Sequence, residues 1–175
     1  MSFYIFVLFL HITGALGIFI GIGLEWFLVH NFGKATTYSG VVQWTDSFKV
    51  LPPIFSVSGI LILISGIYLS VESWGMNAWT ISGLVLFLLI AVFGSVIVSK
   101  KIDSIIKLLD LEKENLSEAF INRIKSPLIT QSLKIRAALA LSIVFIMTTK
   151  PDWTVTLIVV GVALALGFLL TRILK

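Results

Sequence analysis

The stretch from Phe3 to Val29 decides what this chain can be, because apart from Tyr4 at its edge only His11 and Glu25 interrupt it with ionisable side chains. A hydrocarbon core of about 30 Å takes roughly 20 apolar residues in helical form. Inside that core every backbone N–H and C=O must find a partner within the protein, so a single long apolar run is read as a helix. Hydrophobic residues make up 58% of the sequence and charged ones 13%, with a mean hydropathy of +1.06. Such values lie outside the range of soluble domains and identify an integral membrane protein. Met1 to Tyr4 carries no Lys or Arg, and the run that follows exceeds a signal-peptide core, so it reads as a retained transmembrane helix.

Five runs meet or approach spanning length: Phe3 to Val29, Val50 to Val71, Trp79 to Ser99, Ile135 to Thr149 and Trp153 to Thr171. The expected architecture is all-α, a polytopic membrane helical bundle of about five transmembrane helices in a single membrane domain, residues 1–175, with the first helix at its core. The fourth run is the weakest, since Gln131, Lys134 and Arg136 enter its inner turns. Ser126 before Pro127 supplies an N-cap and a first helical position, which starts that helix well below the membrane.

Orientation follows from the basic residues. With the N-terminus outside and the C-terminus inside, twelve of the 13 Lys and Arg residues fall on the cytoplasmic side and only Lys150 outside. Trp74, Trp79 and Trp153 then gather at the outer interface, where an indole meets both apolar and wet surroundings. The expected location is a bacterial inner (plasma) membrane. The polar connection over residues 100–126 has apolar residues Ile102, Ile105, Ile106, Leu109, Leu116, Phe120 and Ile124 at near-helical spacing. It reads as a cytoplasmic helical hairpin broken near Asn115 to Ser117, either packing on itself or docking a partner.

A net charge of +4 and a pI near 9.5 could suggest nucleic acid. The basic residues sit in loops between apolar spans, however, so the partner they imply is the lipid bilayer through its anionic headgroups, and no nucleic acid. The absence of cysteine excludes disulfides, thiolate metal sites and iron–sulfur clusters. No hydrolase or nucleotide-binding signature appears; Gly21-Ile22-Gly23 lacks the third glycine, the preceding strand and the acidic residue of a dinucleotide site.

Function is sought on one face of the first helix. At 100° per residue, His11, Gly14, Gly21 and Glu25 share a sector of about 80°, with Gly17 beside it. His11 lies roughly 12 Å deep, where a neutral imidazole can ligate a haem iron or metal or relay protons, and can equally pack against a Ser, Thr or Tyr of a neighbour such as Tyr68. His30 stands about 28 Å further along the helix, so the two histidines cannot share one iron. That leaves a single-His haem, His11 with Met147, or two His11 residues meeting across a homodimer. Glu25 is a proton carrier or the partner of Arg136 in a structural ion pair. It lies about 21 Å from His11, so the face carries two sites rather than one. Gly14 and Gly17 permit close helix approach, or leave room for a flat cofactor beside His11. Ser58, Ser65 and Gly66 form a comparable small-residue row on the second run.

At Leu10-His11-Ile12 with the glycine run and Leu28-Val29-His30, and again at Met147-Thr148-Thr149-Lys150-Pro151, the chain resembles a group of small bacterial membrane proteins. The first element resembles the opening helix of the copper-resistance D and HemJ-type protoporphyrinogen oxidase proteins and of the uncharacterised predicted integral membrane proteins grouped with them. The closing Met-x-x-Lys-Pro element is most similar to the uncharacterised members. The resemblance implies that His11 corresponds to the first-helix histidine associated with haem in the HemJ-type group. The expected function is a small redox-linked membrane protein holding b-type haem through His11, with Gly14 and Gly17 accommodating the macrocycle. The alternatives are a non-enzymatic accessory or scaffold subunit of a larger membrane complex, and a small proton-linked transporter using Glu25 and His11.

Overall fold

Long apolar runs become long helices. In a computed structural model, which describes residues 2–109 and 116–173, the elements follow in the order α1 (Phe3–Phe32), α2 (Tyr38–Ser47), a 3-10 turn (Phe48–Val50), α3 (Leu51–Leu69), a π-helical turn (Ser70–Trp74), α4 (Ala78–Val92), a π-helical segment (Phe93–Ser99), α5 (Lys100–Leu109), α6 (Glu118–Ile124), α7 (Pro127–Thr149) and α8 (Trp153–Ile173). Among the described residues every regular element is helical, and the protein is a membrane helical bundle. Three stretches are long and apolar enough to cross a membrane, Phe3–Phe32, Tyr38–Trp74 and Glu118–Thr149, with shorter apolar helices at Ala78–Val92 and Trp153–Gly167.

The packing alternates in direction. α1 lies antiparallel to α3, with Gly14 against Ile62, Gly17 against Ser58 and Gly21 against Phe55. α4 runs antiparallel to α7, pairing Gly83 with Met147 near one end and Gly94 with Arg136 near the other, and α7 in turn packs along α8. Between them the helices enclose an apolar cluster containing Ile18, Ile22, Leu86, Ile90, Leu139 and Ile146.

The centre of the bundle is α7 rather than the expected α1. In the apolar stretch Glu118–Thr149, 50% of the spanning window is buried inside the protein, against 28% for Phe3–Phe32. The reason is chemical: Ser132, Lys134, Arg136 and Ser142 are buried polar residues on α7, and polar groups at membrane depth must turn to protein. The polarity that lowers the hydropathy of this run is what keeps it away from lipid.

The connection between the first two spans also differs from expectation, since part of it is the helix α2. Thr37 caps it by accepting the Gly40 N–H at 3.2 Å, and Val41 and Thr45 bury one face. The 100–126 connection divides into α5, which continues directly from the π-helical segment, and α6, whose N-cap Ser117 accepts the Phe120 N–H at 3.2 Å. Residues 110–115, including Asn115 at the expected break, lie outside the described residues. Ile102, Ile105, Leu109, Phe120 and Ile124 do more than pack on one another. They form one cluster with Leu28 and Phe32 of α1, Val41 of α2 and Phe48, closing one end of the bundle. Ser126 and Pro127 begin α7 as cap and first residue, although the Ser126 side chain makes no capping hydrogen bond.

Candidate functional site

The structure separates His11 and Glu25 of α1 into two sites. At the first, Glu25 meets Arg136 of α7, both almost fully buried. Arg136 Nη1 donates to Glu25 Oε1 at 3.1 Å and Nη2 donates to Oε2, a two-pronged geometry that a planar guanidinium and a carboxylate share by shape. Arg136 Cζ lies 5.4 Å from the centroid of the Phe55 ring, which adds an aromatic face from α3. Two glycines make the space. A Cβ on Gly94 would stand 2.8 Å from Arg136 Nη1, and one on Gly21 would stand 2.6 Å from Phe55 Cε1. Gly94 belongs to the π-helical segment, so a widened turn with its glycine, α1 and α3 converge on the guanidinium that α7 carries. Arg136 Nε has no hydrogen-bond partner among the described residues.

At the second, nearer the N-terminus of α1, His11 lies half-buried on the stripe that carries Val7, Gly14 and Ile18. Its partner is Ser65 of α3 rather than Tyr68, whose ring packs edge-on against Phe3 at 5.3 Å. His11 Nδ1 stands 3.1 Å from Ser65 Oγ. Ser65 Oγ also lies within hydrogen-bonding reach of the Leu61 carbonyl on its own helix. With the hydroxyl hydrogen directed there Ser65 accepts from Nδ1, and in that tautomer the ring lone pair falls on Nε2. Gly66 and Trp74 hold the ring in place: a Cβ on Gly66 would stand 3.0 Å from His11 Cε1, and the Trp74 ring lies edge-on at 5.7 Å. Trp74 Nε1 donates to Tyr4 Oη at 3.4 Å and its ring packs at 5.3 Å from Trp79, over which Lys150 Nζ sits at 5.2 Å.

The other expected site residues serve packing. A Cβ on Gly14 would meet Ile62 Cγ1 and the Ser58 carbonyl oxygen at 2.9 Å, and one on Gly17 would run into Ser58 Oγ. The space over both glycines is taken by α3, so a flat macrocycle has no room against either of them. Met147 directs its terminal methyl into the notch of Gly83, which a Cβ would close. His30 is exposed in the last turn of α1. Among the described residues no group of three or more His, Asp or Glu side chains could hold a metal ion. Reading the sequence missed Ser65 as the partner of His11, and Gly94 and Phe55 as parts of the Arg136 site; each lies on a helix whose facing register is set by tertiary packing.

The buried polar pair and the close-packed, lipid-facing helices define the class: an integral membrane helical bundle with its charged groups turned inward. The chain belongs to the DUF2269 family of predicted integral membrane proteins, whose family model matches residues 5–151. That match runs from the start of α1 to the turn after α7, and so includes both sites. No curated protein and no solved structure matches the chain.

Proposed function

We propose that the protein is a small redox-linked membrane protein that holds a b-type haem through His11, with the N-terminus outside and the C-terminus inside a bacterial inner membrane. The observation that carries this reading is the Ser65 bond. A ligating histidine characteristically donates its other ring nitrogen to a fixed acceptor, which sets the tautomer and aims the lone pair. His11 has that arrangement, with Nε2 as the donor atom. A single imidazole suits a porphyrin iron, which brings four nitrogens of its own, better than a bare ion that needs several protein ligands. Gly14 and Gly17 have no part in the site, since α3 covers them. His11 would hold the haem, with Ser65 fixing the imidazole and Trp74 packing edge-on against it, and the group would supply one-electron chemistry.

The orientation is supported by the placement of charge. Lys34, Lys125 and Lys134 line one cleft at the inner end, and Lys150 stands at the opposite end beside Trp79.

The test is absorbance of the purified protein titrated with haem b. A Soret band is expected for the wild type, with none for His11→Ala and an affinity about 10- to 100-fold weaker for Ser65→Ala. No band, or a His11→Ala spectrum like the wild type, refutes the reading. The second reading, an accessory or scaffold subunit, is favoured by the complete filling of Gly14 and Gly17 by α3. On that reading the protein co-purifies in a stable larger complex without pigment.

A further inference from the structure

The strongest unassigned feature lies at the inner end, where two adjoining concavities share Trp26 and His30. The larger, about 620 Å³, is lined by His30, Lys34, Lys125, Ser126, Thr130 and Lys134 over an apolar floor, and among the described residues no acidic side chain lines it. The first turn of α7 opens into it, and the Ser126 side chain does not cap the amide N–H groups of that turn. Such an end of a 23-residue helix favours negative charge. The smaller concavity, about 430 Å³, is almost wholly apolar and runs along α1 past Ile22, Gly23, Trp26 and Phe27. Gly23 makes the trough, since a Cβ there would meet nothing within 4 Å.

We infer that these two concavities form one site for an anionic glycerophospholipid, with the phosphate at the basic end and an acyl chain along the Gly23 groove. The charge pattern selects an anion. The apolar groove opening directly from it selects an anion that carries a hydrocarbon chain, which a free phosphate does not. Ile22 and His30 are about 12 Å apart along α1, so the groove runs parallel to the membrane normal as an acyl chain does. On the orientation proposed above the basic end lies at the level of the cytoplasmic headgroups, where basic clefts between helices bind such lipids.

The test uses the full chain in an uncharged detergent, with bound lipid read by native mass spectrometry. Phosphatidylglycerol and phosphatidylcholine with the same acyl chains are offered in turn, then inorganic phosphate as competitor. Phosphatidylglycerol is expected to bind at least about tenfold more tightly than phosphatidylcholine, and Lys34→Gln with Lys125→Gln to weaken it by about tenfold or more. Gly23→Leu fills the groove without a clash and is expected to weaken phosphatidylglycerol binding while the thermal unfolding midpoint holds. Equal retention of the two lipids overturns the proposal in favour of ordinary boundary lipid. Displacement by inorganic phosphate together with an unaffected Gly23→Leu variant overturns it in favour of a free-anion site. If the lysine variants do not fold, Gly23→Leu still decides the acyl-chain half.

Discussion

Replacing Arg136 with Met keeps most of the side-chain volume and removes the guanidinium, which leaves Glu25 buried with no cation beside it. Glu25 is 1% exposed and Arg136 2%, so water cannot take over the lost hydrogen bonds. The carboxylate then has two courses. It can stay charged in a medium of low dielectric, or it can take up a proton. For a carboxyl of ordinary pKa, about 4.3, protonation at pH 7 costs about 3.7 kcal/mol, and this caps the penalty. The figure lies within the 3–5 kcal/mol found when one partner of a buried pair is removed. The sign of the pH dependence follows. Protonation becomes cheaper as pH falls, so the deficit of Arg136→Met relative to wild type shrinks to about 1 kcal/mol at pH 5. Removing both charges, as Glu25→Leu with Arg136→Met, is expected to restore most of the loss, because the net worth of a buried pair against apolar packing is small. The assay is reversible unfolding in mixed micelles across pH 5 to 8 for the two singles and the double. A single-variant cost under about 1 kcal/mol at pH 7, or a double as unstable as the sum of the singles, refutes the argument that the pair is desolvated and coupled.

Three further outcomes follow from the geometry. Gly17→Leu drives a side chain into Ser58 and is expected to destabilise the α1–α3 contact by several kcal/mol in the same unfolding assay, whereas Gly23→Leu leaves it within about 0.5 kcal/mol. Gly75 ends the π-helical turn with φ of 72°, so Gly75→Ala is expected to cost about 1–2 kcal/mol; an unchanged midpoint refutes the strain. Because the chain has no cysteine, single replacements report orientation cleanly: Lys150→Cys is expected to react with an impermeant thiol reagent in intact cells and Lys34→Cys only after lysis. The reverse pattern inverts the assignment of faces, and with it the leaflet of the lipid site.

Much of the bundle is legible in the sequence because the bilayer leaves so few choices. A run such as Phe3 to Val29 must be a helix, whatever its neighbours do. Glu25 and Arg136 can be matched from the sequence alone, since each is a charge near the inner end of a span and two such charges gain from meeting. The helix α2 is hidden for a different reason. Tyr38–Ser47 lies in a polar connection, and its only local marks are the Thr37 cap and the i, i+4 pair Val41 and Thr45. The partner of His11 is hidden too, because α3 presents Ser58, Ser65 and Tyr68, and the antiparallel register that selects Ser65 depends on how deeply Gly14 and Gly17 let the two helices approach.

That dependence explains why the glycines of α1 mislead. A glycine in a membrane helix announces that something comes close, and it carries no record of whether that something is a backbone or a ligand. Gly14 and Gly17 receive α3, Gly83 receives Met147, Gly94 receives Arg136, and a Cβ at Gly23 meets nothing. Among these five only Gly23 is vacant on the lipid side, and it adjoins the basic cleft. Polarity in α7 works the same way in reverse. Lys134 and Arg136 make it the least apolar of the three long spans by hydropathy, yet those residues require a protein environment, so the helix that looks least suited to a membrane is the one the others surround. In a bundle of this size, one span of low hydropathy with buried cations marks the centre.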